Sequence, residues 1–136
     1  MRRTMKNLMT TNIYMPQGIV AVVGACLPET HPEGYRIIAD MADEVYALCL
    51  EETHINMAVT KIGAMLSTGR VTKLIFASVD RSPHCTQLHY IKHEIERTMK
   101  LEIEVLDYVV PDDKPVLVSD KAIDMSKSLA KLAELY

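Results

Sequence analysis

The sequence predicts an α/β fold in which helices cover both faces of a mostly parallel sheet. Apolar runs of strand length recur along the chain, and most are followed by a segment whose apolar residues repeat at helical spacing. Strands that alternate with helices form parallel sheets with right-handed crossovers. We therefore expect a three-layer flavodoxin-like or Rossmann-like domain whose sheet has about four strands.

Composition limits the class of protein. The 136 residues are 49% apolar and 24% charged, which is typical of one globular domain. The net charge of -3 gives no reason to expect a nucleic-acid partner. No apolar run approaches the roughly 20 residues of a membrane span, so no membrane partner is expected. The three widely spaced cysteines argue against a disulfide framework and favour a reducing, cytoplasmic setting.

The first element along the chain is an arm at residues 1–16, and residues 17–136 are predicted to form the single α/β domain. The arm carries methionines among basic residues. It is expected to be poorly ordered, or to pack on the domain or on a second subunit of a homo-oligomer.

The first strand is predicted at residues 18–26, where the chain is apolar on both faces, as in a central parallel strand. A loop with two prolines and a short helix follow. Residues 45–50 are either a continuation of that helix or a second strand. We favour a strand, because Thr53 after two glutamates predicts a new helix at residues 54–68.

The third strand is predicted at residues 74–79, and Ser82 is a suitable N-cap for the helix at 83–100. A fourth strand is expected near the sheet edge at residues 102–110, before a last helix that begins at Ser119 or Asp120. In this layout the first strand is central, between the second and the third.

This layout places all three cysteines at the carboxyl edge of the sheet. Cys26 and Cys49 end the first two strands, and Cys85 lies in the first turn of the helix after the third. Neighbouring strands are about 4.8 Å apart, so the thiols can share a ligand. With the loop histidines His31 and His84 they form the predicted metal site. The alternative is that the cysteines only pack in the core.

The corner between the third strand and its helix is the predicted cofactor-binding loop, with Asp80, Arg81 and Ser82. Ligands of open α/β sheets bind at such corners. Because Cys85 follows at the helix start, its pKa is predicted to lie below about 8.5. His89 lies one turn from Cys85 and is a candidate to orient it. His93 follows at zinc-site spacing but is expected to face solvent.

The sequence contains neither a nucleotide-binding motif nor the motif of a cysteine phosphatase. No glycine-rich nucleotide fingerprint is present, so nucleotide binding depends on fold analogy alone. The phosphatase pattern of a cysteine followed six residues later by arginine is absent, because Pro32 and Ile91 occupy those places after Cys26 and Cys85. A thiol-nucleophile enzyme is therefore the weakest of the alternatives.

Residues 18–110 resemble the small iron–sulfur delta subunit of methyl-viologen-reducing hydrogenase and the small α/β domains named for a Cys-Gly-Gly-Cys motif. The segments that carry the resemblance are Val45-Tyr46-Ala47-Leu48-Cys49, Gly69, Phe76-Ala77-Ser78, Pro83-His84-Cys85 and His89-Tyr90. It implies that cysteines after the strands hold an iron–sulfur cluster and that the subunit passes electrons to an oxidoreductase. The family pairs its cysteines after the first and third strands, whereas this chain has one at each place. A four-ligand site would need His31, His84 or Asp80.

Two functions are expected from these observations. The first is a small cytoplasmic redox or metal-binding accessory protein, with an iron–sulfur cluster or zinc held by the edge cysteines and an oxidoreductase as a possible partner class. The alternative is a non-catalytic α/β module for assembly or ligand binding, whose cysteines are structural. Whether the protein is an enzyme is left open.

Overall fold

One sheet of six strands, in the order β1-β3-β2-β4-β5-β6, organises the computed structural model, which describes residues 5–136. The first five strands along the chain are parallel to one another, and β6 is antiparallel to β5. In chain order the strands are β1 (Lys6–Asn7), β2 (Gly18–Gly24), β3 (Glu44–Leu48), β4 (Val71–Val79), β5 (Glu104–Val110) and β6 (Val116–Val118).

Seven α-helices within the described residues connect and flank these strands. They are α1 (Leu27–Thr30), α2 (Pro32–Asp40), α3 (Ile55–Ser67), α4 (Pro83–Thr86), α5 (Ile91–Glu96), α6 (Asp120–Ser126) and α7 (Leu129–Ala133). None of them is long and apolar enough to cross a membrane.

The three-layer arrangement and the central position of the first predicted strand are confirmed. Along β2, Val20 and Val22 belong to a core cluster with α3 and α5, and the alternate residues Ala21 and Val23 belong to a cluster with α2. Each of these four side chains is fully buried. Burial on both faces explains why the strand is continuously apolar.

The prediction of about four strands is wrong, because two short edge strands were not recognised. β1 has two polar residues and β6 has three residues, too few to show the period of a strand. β1 comes from the predicted arm. It pairs with β3, and the next residue, Leu8, is 1% exposed in the core. Residues 1–4 of that arm lie outside the described residues.

The ambiguous stretch after α2 is a strand, β3, so Cys49 directly follows a strand end. The next helix begins one residue later than predicted, because the ring nitrogen Nδ1 of His54 accepts a hydrogen bond from the Asn56 N–H at 3.2 Å and caps it in place of Thr53.

The prediction of one continuous helix at residues 83–100 is wrong. The segment consists of α4, a 3₁₀ turn at Gln87–Tyr90, and α5, which ends at Glu96. The 3₁₀ turn contains His89, whose ring is hydrogen-bonded to side chains of β4 and β5. Such contacts to the sheet compete with a regular helical path. The last predicted helix is likewise divided into α6 and α7.

Candidate functional site

Cys26, Cys49 and Cys85 line one cavity of about 240 Å³ at the carboxyl ends of β2, β3 and β4. We call this cavity the thiol pocket. All three cysteines are free; Cys26 is exposed, and the other two are partly exposed. Three strands that are distant in sequence thus bring their thiols together.

Strand register explains how Cys26 and Cys49 meet. Gly24 and Leu48, the last residues of β2 and β3, are directly opposite each other in the sheet. The Ala25 N–H donates to the Leu48 carbonyl at 3.3 Å and extends this pairing past the strand ends. Cys26 directly follows Ala25, and Cys49 directly follows Leu48. Both cysteines therefore lie at the mouth of the same crevice.

Cys85 reaches the pocket from the helix side. The Ser82 side chain caps α4 by accepting the Cys85 N–H at 3.4 Å, as the Ser-Pro sequence predicts. The Cys85 sulfur accepts the Val79 N–H at 3.2 Å and lies against Gly24. A Cβ atom at residue 24 would overlap that sulfur. A glycine is therefore needed there for the thiol to approach the end of β2.

The predicted depression of the Cys85 pKa is wrong. Burial raises the pKa of this thiol, the hydrogen bond from Val79 lowers it by less, and negative charge on Cys26 or Cys49 raises it further. One turn of helix supplies too few aligned peptide groups to offset this loss of hydration. Cys85 is thus a protonated thiol at neutral pH, not an activated nucleophile.

The predicted loop residues divide into those that reach the pocket and those that do not. Ser82 and His84 line it together with the cysteines. Asp80 and Arg81 are exposed and do not line it, although Arg81 holds a left-handed backbone with φ 70° at the corner. His31 does not line it either, and its Nδ1 lies 2.8 Å from the Thr30 hydroxyl.

A buried chain of three polar side chains was not predicted from the sequence. His89 Nε2 lies 2.6 Å from the Ser78 hydroxyl, and His89 Nδ1 lies 2.8 Å from Asp107 Oδ1. We call Ser78, His89 and Asp107 the buried relay; each is at most 3% exposed. A signal was present, because Ser78 and Asp107 interrupt apolar strand sequences where a buried polar group needs a partner.

The buried relay has the order of a nucleophile, a base and an orienting carboxylate, yet its burial excludes a substrate. Ser78 is 1% exposed and lines neither the thiol pocket nor the cavity beside β6 that Asp107 borders. The expectation that His89 orients Cys85 is not met, since both ring nitrogens are engaged within the relay. His93 instead lies beside Asp124 and Lys127.

Comparison with known proteins identifies the fold family. A family model described as a Rossmann-like domain matches residues 14–134. The chain belongs to this family. No curated protein and no solved structure matches the chain, so the comparisons support the Rossmann-like fold and do not extend to the hydrogenase delta subunit.

Membership in the Rossmann-like family agrees with the place of the thiol pocket. Ligands of this fold class bind outside the carboxyl ends of the strands, where the connections leave to opposite faces of the sheet. In this Rossmann-like domain β2 lies at that point, between β3 and β4. Its glycine at residue 24 accommodates a sulfur, and no glycine-rich phosphate loop follows.

The thiol pocket of this Rossmann-like domain does not form a preorganised metal site. Within residues 5–136, no group of three or more histidine, cysteine, aspartate or glutamate side chains is arranged to hold a metal ion. The donors as placed therefore do not fit an iron–sulfur cluster or a zinc ion without side-chain movement. What the arrangement offers is a small, partly apolar cavity with three thiols on its wall.

Proposed function

We propose that this protein is a small redox or metal-binding accessory protein whose thiol pocket holds a thiophilic ligand. The observation that carries the proposal is the convergence of three free cysteines on one 240 Å³ cavity. They are the only cysteines in the chain. Cysteines that served only as small apolar side chains would have no reason to gather at the ligand-binding edge of the sheet.

The chemistry of the wall defines the ligand class. Thiolate sulfur binds soft cations, and the cofactors that we propose are zinc or an iron–sulfur cluster. Either would require the cysteine side chains to move from the positions described above. Negative charge on Cys26 or Cys49 raises the pKa of the Cys85 thiol. A bound cation removes this repulsion, so metal binding and thiol deprotonation are coupled.

The proposed partners and compartment follow from the same groups. Three free thiols persist in a reducing compartment, which favours the cytoplasm. An accessory protein that carries a redox ligand needs an oxidoreductase to exchange electrons with, and we propose such a partner together with self-association of this chain.

The second candidate is an assembly or ligand-binding module with structural cysteines. One observation favours it: Cys85 packs against the core cluster beneath α3 and α5, and its sulfur fills the space above Gly24. A thiol in such a position contributes to stability without binding anything.

Metal analysis distinguishes the two candidates. The protein is purified without oxygen with iron supplied, its metal content and absorbance spectrum are recorded, and zinc binding to the apoprotein is titrated. We expect Cys26→Ser, Cys49→Ser and Cys85→Ser each to lower metal affinity about tenfold or more. Thr30→Val is the matched control, because Thr30 lines the same pocket without a thiol.

A thermal shift supplies an independent readout. Zinc at about a hundred times its Kd would stabilise the fold by about 2.7 kcal/mol, and the serine variants would lose this gain. A wild-type protein that carries no metal and binds no zinc would exclude the metal-binding proposal. Serine variants that bind zinc as tightly as wild type would exclude the thiol pocket as its site.

A further inference from the structure

The thiol pocket has two cysteines at the ends of neighbouring strands. Gly24 and Leu48 are opposite each other in β2 and β3, and the Ala25 N–H extends this pairing to the Leu48 carbonyl. Cys26 and Cys49 come next along the chain and line the same cavity. Both thiols are free, and Cys26 is the more exposed of the two. Two free thiols on one open cavity can react with each other as well as with a ligand.

Strand register places these two cysteines within reach of a disulfide. Continued past the strand ends, the register sets residue 25 opposite Cys49 at the strand spacing of about 4.8 Å. Cys26 is one residue further, a step of about 3.8 Å between Cα atoms. Such a step along the strand direction, at right angles to the strand spacing, gives a Cα–Cα distance of about 6 Å. Disulfides join residues whose Cα atoms are about 4.4–6.8 Å apart.

Cys85, the third thiol of the pocket, is held by other contacts. Its sulfur accepts the Val79 N–H at 3.2 Å and lies against Gly24. It also packs against the core cluster beneath α3 and α5. A bond from this sulfur to either of the other cysteines would break the hydrogen bond and move the sulfur out of its packed position. The cysteines that follow β2 and β3 are therefore the pair better placed to react.

The donors of the thiol pocket meet the needs of a disulfide as they stand. Within residues 5–136, no group of three or more metal-binding side chains is arranged around a common point, whereas a disulfide needs only two sulfurs. Disulfides in reducing compartments are usually transient and serve catalysis or redox sensing. A thiol pair at the mouth of an open cavity thus favours a bond that forms and breaks during function.

We propose that Cys26 and Cys49 form a reversible disulfide, through which the thiol pocket exchanges two electrons with a disulfide substrate. This rests on the redox form of the proposed function and names its couple and substrate class. The thiolate of Cys26, the more exposed cysteine, attacks the substrate disulfide, forms a mixed disulfide and releases one thiolate. The thiolate of Cys49 then attacks the Cys26 sulfur and releases the second. The two protons lost by the cysteines go to the two released thiolates, so the substrate is reduced to two thiols while the protein is oxidised.

Reaction of the reduced, chelator-treated full chain with glutathione disulfide tests the pair. Remaining thiols are alkylated, and tryptic peptides are analysed by mass spectrometry. Cleavage after Arg36 and Arg81 places the three cysteines in different peptides. We expect the peptides of Cys26 and Cys49 to be joined and Cys85 to be alkylated. Dithiothreitol should restore all three thiols.

Single variants test the order of attack. Cys49→Ser should stop at the mixed disulfide between Cys26 and glutathione. Cys26→Ser should react about tenfold more slowly, because the more exposed thiol is lost. Thr30→Val is the matched control: Thr30 lines the same pocket and carries no thiol, so this variant should form the disulfide within about threefold of the wild-type rate. Circular dichroism checks that each variant keeps the fold.

Three results would each overturn the proposal: a linkage of Cys85 to either of the other cysteines, a disulfide between two chains, or mixed disulfides that persist in the wild-type protein. Zinc binding separates this failure from failure of the metal-binding proposal. If the reduced protein binds zinc and Cys26 and Cys49 do not join, the disulfide is refuted and the metal site stands. If the disulfide forms and no zinc binds, the redox couple stands and the metal site is refuted.

Discussion

Replacing His89 with leucine should cost a large share of the stability of this domain, because it leaves a buried carboxylate without its partner. Asp107 is 3% exposed, and its hydrogen bond to His89 is 2.8 Å long. Removing one partner of a buried hydrogen bond and leaving the other unsatisfied costs about 1–3 kcal/mol, and more when the group left behind is charged. Domains of this kind are stable by about 5–15 kcal/mol in total.

Substitutions at the other two residues of the buried relay show how much each hydrogen bond contributes to the free energy of unfolding. Ser78→Ala removes one hydrogen bond to the ring and should cost about 1 kcal/mol. The double variant His89→Leu/Asp107→Leu removes the carboxylate together with the ring. It should be more stable than the sum of the two single losses predicts, by about 2–3 kcal/mol.

Urea unfolding at constant pH in a reducing buffer measures these free energies, with the slope m checked for a common two-state transition. His84→Leu is the matched control; His84 is exposed and should change stability by no more than about 0.5 kcal/mol. If His89→Leu costs less than about 1 kcal/mol, or if the losses at residues 89 and 107 simply add, the relay is not an interdependent unit.

Three further predictions concern packing and titration. Gly24→Ala should lose about 1–3 kcal/mol in thermal unfolding because the added methyl group overlaps the Cys85 sulfur, and Cys85→Ala should relieve this loss; no relief would contradict the close approach. In a Cys26→Ser/Cys49→Ser background, the rate of Cys85 alkylation plotted against pH should show an inflection above about pH 8.5, since burial raises the pKa of this thiol. The fold favours the protonated thiol. Its contribution to the free energy of unfolding is therefore present at neutral pH and is lost as pH rises through the folded pKa. Leu8→Ala should cost about 2–5 kcal/mol in urea unfolding, and a smaller loss would mean that this part of the arm does not belong to the core.

The sequence by itself determined the main layers of this protein. β2 and β4 carry long apolar runs because both of their faces are covered. The burial of a whole strand or of one helix face produces a pattern of apolar residues that can be recognised in the sequence. The same pattern locates the strand ends to within about two residues. The sequence therefore predicts Cys26, Cys49 and Cys85 on one edge of the sheet, provided that residues 45–50 are a strand rather than a helix. Ser82 and Pro83 also predicted the start of α4 from local chemistry alone.

Only the tertiary structure decided the features that depend on contacts between distant residues. β1 and β6 are strands because a neighbour is present, and their own residues are too few to show a period. The relay joins residues separated by 11 and 18 positions, which no local pattern links. The pKa of Cys85 is raised because packing removes water from one sulfur atom. Periodicity reports the burial of an element, whereas the hydration and the partner of a single atom are set by the packing of the whole chain.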